Sequence, residues 1–217
     1  RRVLFRSTKP FTTSTYYPFE RINVDTIGPF PIDEGGYQYV ITIIDCFTRY
    51  TCLYPAKSTD STSAAEALLL HIGNYGTPCQ VLSDRGSQFV NEMIYQFINM
   101  TGSEQIITMA YSKEENSMIE RANREINRWI RDILYEKRLK TNKWRDTLPF
   151  VQRIHNASEI ETIGCSPARL LYGDSVELDN NILINKEERS KEYDNIPINE
   201  WVQKKIQYSM PRKLPFE

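Results

Sequence analysis

The chain has 217 residues, 40% hydrophobic and 25% charged, the balance of a globular protein with one domain and room for appendages. No apolar run approaches the ~18–20 residues of a membrane span, and four scattered cysteines with only His71 and His155 beside them offer no zinc-ligand spacing, which leaves reduced, packed thiols. The net charge of −1 hides an asymmetry: residues 1–21 hold five Lys/Arg against one acid, 121–153 ten against four, and 174–194 three against seven. A basic middle with an acidic tail fits a partner that is a local polyanion.

Residues 1–15 are basic, rich in Ser and Thr and without periodicity, so they read as an extended arm. The chain opens on Arg1 rather than Met and is expected to be a piece of a longer protein. From Phe19 to Asp25 the residues alternate, with Ile22 and Val24 on one face and Asn23 and Asp25 on the other, which predicts a strand. Asp33-Glu-Gly-Gly36 is a turn, Tyr37 to Phe47 is a buried strand, and Tyr50 to Ala56 is a third. Asp45, at the end of the second run, is expected to shape the hairpin. A polar start at Ser58 to Ser63 leads into a helix through Ala64, Ala67, Leu68 and His71, closed by Gly76-Thr-Pro78. Cys79 to Asp84 is a short strand, Asn91 to Met100 a short helix, and Gln105 to Ala110 a further strand.

The longest helix follows. Ile119, Ala122, Ile126, Trp129, Ile130 and Ile133 form one apolar stripe. Asn116 and Ser117 stand where that helix is expected to open, with Lys137 and Arg138 at its end. Glu120, Asn123, Arg124, Asn127 and Arg131 run along one side at steps of three, four and seven. Ser117-x-x-Glu120 has the form of a capping box, in which Glu120 reaches back to the Ser117 N–H. A helix from Lys143 to Ala157 comes next, with His155 a structural histidine, and a helical turn from Pro167 to Tyr172 ends at Gly173. The acid-rich residues 175–217 read as a tail or linker behind a core spanning 16–174.

Three antiparallel strands, then helix, strand, helix, strand and two helices make a mixed α/β order. Asp84 stands at the C-terminal end of a strand, where open α/β sheets build their sites. Asp25, Asp84 and Glu120 lead toward one rim of that sheet. Oxygen-rich sites of this kind suit Mg²⁺ or Mn²⁺, and three carboxyl groups sharing two ions would need those ions about 3.5–4 Å apart.

VDTIGPFP around Asp25, SDRGSQF around Asp84 and AYSKEENSMIERANREI around Glu120 resemble the three blocks of a retroelement integrase catalytic core. Thirty-five residues separate Asp84 from Glu120, the spacing typical of that family. RIHNASEIETIGCSPARLLYG, from Arg153 to Gly173, is similar to the closing segment of Gypsy-type long-terminal-repeat retrotransposon cores. The resemblance implies a ribonuclease H-like fold, a five-stranded mixed sheet flanked by helices, with Asp25, Asp84 and Glu120 as catalytic ligands of two Mg²⁺ or Mn²⁺ ions. It implies DNA contacts at Tyr111, Asn116, Asn123, Arg124 and Asn127, which the basic ridge extends to Arg131. The implied activity is metal-dependent 3′-end processing and strand transfer of retroelement DNA into target DNA. A homo-oligomer acting in the nucleus, after a cytoplasmic particle, follows from the same likeness. Ser112-Lys113-Glu114 stands where many relatives read His-Pro-Gln, and Ser117 where a Gly is usual. A transposase of the same fold and a domesticated, non-catalytic DNA-binding protein are the alternatives; SPARLLYG and the intact triad argue against them.

Overall fold

A computed structural model describes residues 15–107 and 113–173, the side chains of 113–116 excepted. Most of the basic arm, the loop bearing Tyr111 and the acidic tail lie outside the described residues.

Five strands form one sheet: β1 (Arg21–Ile27), β2 (Tyr39–Asp45), β3 (Thr51–Ala56), β4 (Gln80–Ser83) and β5 (Glu104–Ile107). Their order is β3-β2-β1-β4-β5, with β1 antiparallel to β2, β2 antiparallel to β3, and β4 parallel to both β1 and β5. The connections carry α1 (Ser61–Tyr75), α2 (Glu92–Met100), α3 (Lys113–Glu136), α4 (Trp144–Ala157) and α5 (Pro167–Tyr172). This is the mixed α/β arrangement that the element order predicts.

Alternation along each strand divides the core into two layers. Ile22, Val24, Ile41 and Ile43 face α1 and α2, packing on Ala64, Leu68, Ile94 and Ile98. Ile27, Val40, Ile44 and Leu53 face α3 and α4, packing on Ile119, Ile126, Ile130 and Trp144. Each fully buried aliphatic side chain contributes about 1.5–3 kcal/mol. Trp144 is wholly enclosed, stacks on Phe30 at 4.7 Å and donates its indole N–H to the Pro31 carbonyl at 2.7 Å. Two ion pairs, Arg145 to Asp33 and Lys143 to Glu34, fasten the β1–β2 turn to the same helix start.

The outer edge of β3 is closed by side chains of α4. The Thr51 N–H donates to Asn156 Oδ1, Asn156 Nδ2 donates to the Thr51 carbonyl, and the Leu53 N–H donates to Gln152 Oε1, all at 2.7–2.8 Å. Pro55, next on that side of the strand, has no N–H to satisfy. Asp45 is buried and accepts from the N–H groups of Phe19 and Thr48 and from the Thr48 hydroxyl, so it does shape the hairpin.

Three local expectations change. The helix α3 opens at Lys113, not at Asn116–Ser117, so Ser117 lies inside it and the capping box is not formed. Lys113, Glu114 and Glu115 are good helix formers, and acids early in a helix suit its dipole. At the other end α3 stops at Glu136; Arg138 takes a left-handed φ of 51°, and the Leu139 N–H turns back to the Leu134 carbonyl. Lys137 and Arg138 therefore follow the helix instead of forming its last turn. Cys79 is exposed, with its sulfur 3.1 Å from the Tyr17 hydroxyl, so it is not one of the packed thiols.

Candidate active site

The site begins with the register of two parallel strands. Ile22 pairs with Val81, Asn23 with Leu82 and Val24 with Ser83. The next residues of each strand are Asp25 and Asp84, which the ladder brings side by side on the layer facing α3. Asp25 sits two residues before the end of β1, opposite Thr42 of β2. Asp84 follows the last residue of β4, and its Oδ1 accepts from the Gly86 N–H at 2.8 Å. That Asx-turn sets the course of the loop and leaves the second oxygen outside that turn.

The third carboxylate comes from α3. Packing of Ile119 and Ala122 against the sheet fixes the helix rotation and puts Glu120 on the exposed flank beside that buried stripe. Asn123, one turn further, is buried and donates Nδ2 to Asp25 Oδ2 at 2.7 Å. Asp25 Oδ1 accepts from the Thr26 N–H at 2.7 Å, so the carboxyl group is held at both oxygens.

Burial pushes Asp25 up to about 6 from its ordinary 3.8. The negative charges of Asp84 and Glu120 push the same way, while the bonds from Thr26 and Asn123 hold it back. Asp25 thus feels the charges of both other carboxylates. The three are not drawn into a tight cage: among the described residues no three His, Cys, Asp or Glu side chains gather closely enough to enclose a metal ion. The expected close convergence of Asp25, Asp84 and Glu120 is to that extent corrected. Like charges repel, and Glu120 is an exposed side chain free to stand off.

The residues nonetheless suit hard divalent cations. The donor set is entirely carboxylate oxygen, and two buried oxygens near Asp25, Asn123 Oδ1 and Thr42 Oγ1, have no hydrogen-bond partner among the described residues. Asp25, Asp84 and Glu120 would be the ligands.

The expected DNA contacts separate into three groups. Arg124 and Arg131 are exposed on α3, with Asn127 half-buried between them. Arg131 Nε also donates to the Asn127 carbonyl at 3.1 Å. Asn123 does not stand on that open ridge; it turns inward because Asp25 is its partner. Tyr111 and the side chain of Asn116 lie outside the described residues. His155 is buried with its ring nitrogen 3.5 Å from Glu125, the structural role expected for it. Arg21 is not among the sequence candidates, although strand alternation puts it on the face of Asn23 and Asp25, a signal that could have found it.

The sheet order, the helices on both faces and the carboxylates on adjacent parallel strands define a ribonuclease H-like fold. A solved structure with this fold is the HTLV-2 integrase catalytic core in complex with magnesium, in a trimeric form, with a TM-score of 0.57 at 15% identity over 71% of this chain and 97% of that one. Residues 16–113 match the family model described as the integrase core domain. In sequence the chain is 30% identical over 156 residues to the Pro-Pol polyprotein of simian foamy virus type 3 (strain LK3), covering 72% of this chain. It is 25% identical over 163 residues to the retrovirus-related Pol polyprotein from transposon 412 of Drosophila melanogaster, covering 75% of this chain. The chain spans only 13% of the length of each of these polyproteins.

Proposed function

We propose that this chain is the catalytic core of a retroelement integrase that trims the 3′ ends of linear element DNA and joins them to target DNA. The observation that carries the reading is the β1–β4 register, which sets Asp25 and Asp84 side by side with the Glu120 charge reaching Asp25 from α3. Asp25, Asp84 and Glu120 are the residues that hold two Mg²⁺ or Mn²⁺ ions. Such ions, when bound, stabilise the attacking and leaving oxygens of an in-line substitution at phosphorus.

The chain's own residues do the rest. Asn123 and the Thr26 N–H lock the Asp25 carboxylate in one orientation, which would hold its remaining lone pairs ready as cation ligands. Arg124 and Arg131 grip phosphates of the donor DNA along α3, with Asn127 between them and Tyr111 and Asn116 near the reacting end. In the first reaction a water oxygen attacks a phosphodiester near the 3′ end and the P–O bond to the retained strand's 3′ oxygen breaks, so that strand keeps a 3′-hydroxyl and the short departing piece carries the 5′-phosphate. In the second, the new 3′-hydroxyl attacks a target phosphodiester, one P–O bond forming as another breaks. The working unit is a homo-oligomer on chromosomal DNA in the nucleus, with residues 16–174 as core; among the described residues no helix is long and apolar enough to cross a membrane.

The test is a strand-transfer assay with the element's own end sequence, Mg²⁺ and a chain extended upstream. Joined products that vanish in Asp25→Asn, Asp84→Asn and Glu120→Gln support the proposal. Joining that survives any one of the three removes that residue from the site.

A further inference from the structure

A cleft of about 620 Å³ opens on α3 away from the Glu120 flank. Its floor is apolar, with Ile44, Leu82, Ala122 and Trp129. Four arginines surround it from three parts of the chain: Arg21 from β1, Arg49 from the β2–β3 hairpin, and Arg121 and Arg128 from α3. On the helix, Arg121 and Arg128 lie roughly 80–100° around from Glu120 and roughly 40–60° from their neighbours Arg124 and Arg131, so the cleft adjoins that ridge on its far side from Glu120.

Three of these cations make no direct ion pair among the described residues, although Glu125 feels the charge of Arg128 and Arg121. Arg49 rests its guanidinium on the sulfur of Met118, with a left-handed φ of 66°, and Arg128 lies over the Trp129 ring at 5.0 Å. Among the described residues no ion pair is formed by Arg49, Arg121 or Arg128, while Glu125, the carboxylate nearest them on α3, pairs with His155. Guanidinium groups gathered around an apolar floor recognise carboxylates in bidentate fashion. A volume of this size seats a few side chains or a small molecule.

Glu125, Glu159 and Glu161 stand among the arginines. They decide between the two kinds of polyanion. A nucleic-acid backbone is a continuous row of phosphates and would be forced against those carboxylates. A peptide carries separate acids that can be placed on individual arginines while an apolar neighbour enters the floor.

We infer that this cleft docks an acidic peptide segment of a partner protein, one in which Asp or Glu flanks an aromatic or aliphatic residue. The interaction is independent of catalysis and of the donor-DNA ridge. It gives the core a means of being held by a second protein while α3 is engaged with DNA.

The experiment selects a displayed random 12-mer peptide library against the full 217-residue chain and measures the winners by fluorescence anisotropy. A single-stranded oligonucleotide of 12 nucleotides serves as the second ligand. Both are titrated against the native chain, against Arg121→Glu/Arg128→Glu and against Arg131→Ala, each checked for an unchanged melting curve. A lone Arg121→Gln chain replaces the double variant if that one melts early. The expected result is winners enriched in acids beside apolar residues. Their affinity should fall at least tenfold on changing the cleft and less than twofold in Arg131→Ala, with the oligonucleotide losing under threefold in the cleft variant. Winners without acids, or acidic winners indifferent to the cleft, overturn the inference. A parallel loss of peptide and oligonucleotide binding overturns it too, and makes the cleft a nucleic-acid site.

Discussion

Asp25 is where the chemistry of this chain meets its stability. Its folded-state pKa near 6 lies above the ordinary 3.8, so the folded protein holds that proton more tightly than the unfolded chain. The associated stability is complete below about pH 4 and is lost as pH rises through 6. A difference of about two units corresponds to roughly 3 kcal/mol. Asp25→Asn removes the buried charge but leaves one acceptor oxygen for two donors, so the net gain above pH 7 is about 1–2 kcal/mol. Melting in EDTA at pH 4.5 and pH 8 checks this: the variant's advantage should appear only at the higher pH, and Mg²⁺ at pH 8 should then raise the melting point of the native chain alone. A constant difference at both pH values would mean that Asp25 is not strained by its neighbours. Glu120, being exposed and inside the helix, tolerates Gln within about 0.5 kcal/mol, and a strand-transfer assay beside the melting curve should show activity gone with stability kept. Ser117→Ala, at a helical position and not a cap, should shift stability by no more than about 0.5 kcal/mol, where loss of a true N-cap would cost around 1.

Among the elements, α3 carries the ridge proposed to grip DNA and α4 carries the edge of the sheet. Replacing Arg124 and Arg131 with Ala should weaken DNA binding for every sequence tested and flatten the log–log salt dependence by about one for each phosphate no longer neutralised. An unchanged slope would reduce the ridge to a solvated helix face. On α4, Asn156→Ala strands both the N–H and the carbonyl of Thr51 in a buried position, with an expected cost of about 2–4 kcal/mol at roughly 1–3 for each unsatisfied group. Urea unfolding measures it. Asn156 and Gln152 also show why part of this molecule is opaque in the sequence. The apolar stripes of α3 and α4 are visible in their periodicity, but a polar side chain on a helix carries no mark that it serves a strand about a hundred residues earlier. The start of α3 is hidden for a related reason. Lys113 to Ser117 is polar and follows a strand, so it resembles a loop ending in a cap, whereas Lys and Glu propagate a helix readily.

At the scale of the whole molecule, the mixed α/β element order and the face of β1 that carries Asn23 and Asp25 are legible, because alternation is a local signal that the sheet preserves. The inward turn of Asn123 and the ring of arginines around the cleft are not, since each depends on which elements the fold brings face to face. The same long-range logic gives the β3 edge a further meaning. An open sheet ends in backbone groups that will accept a strand from any other molecule. Under the proposed function, several copies gathered on one DNA end would be at high local concentration, where such a template invites indiscriminate stacking. By completing β3 with Gln152 and Asn156, beside the strand's own Pro55, α4 removes that template and leaves assembly to surfaces that discriminate. Loss of those side chains should therefore surface first as a solubility defect, with fibrillar, thioflavin-positive material forming before any change in the chemistry of the site.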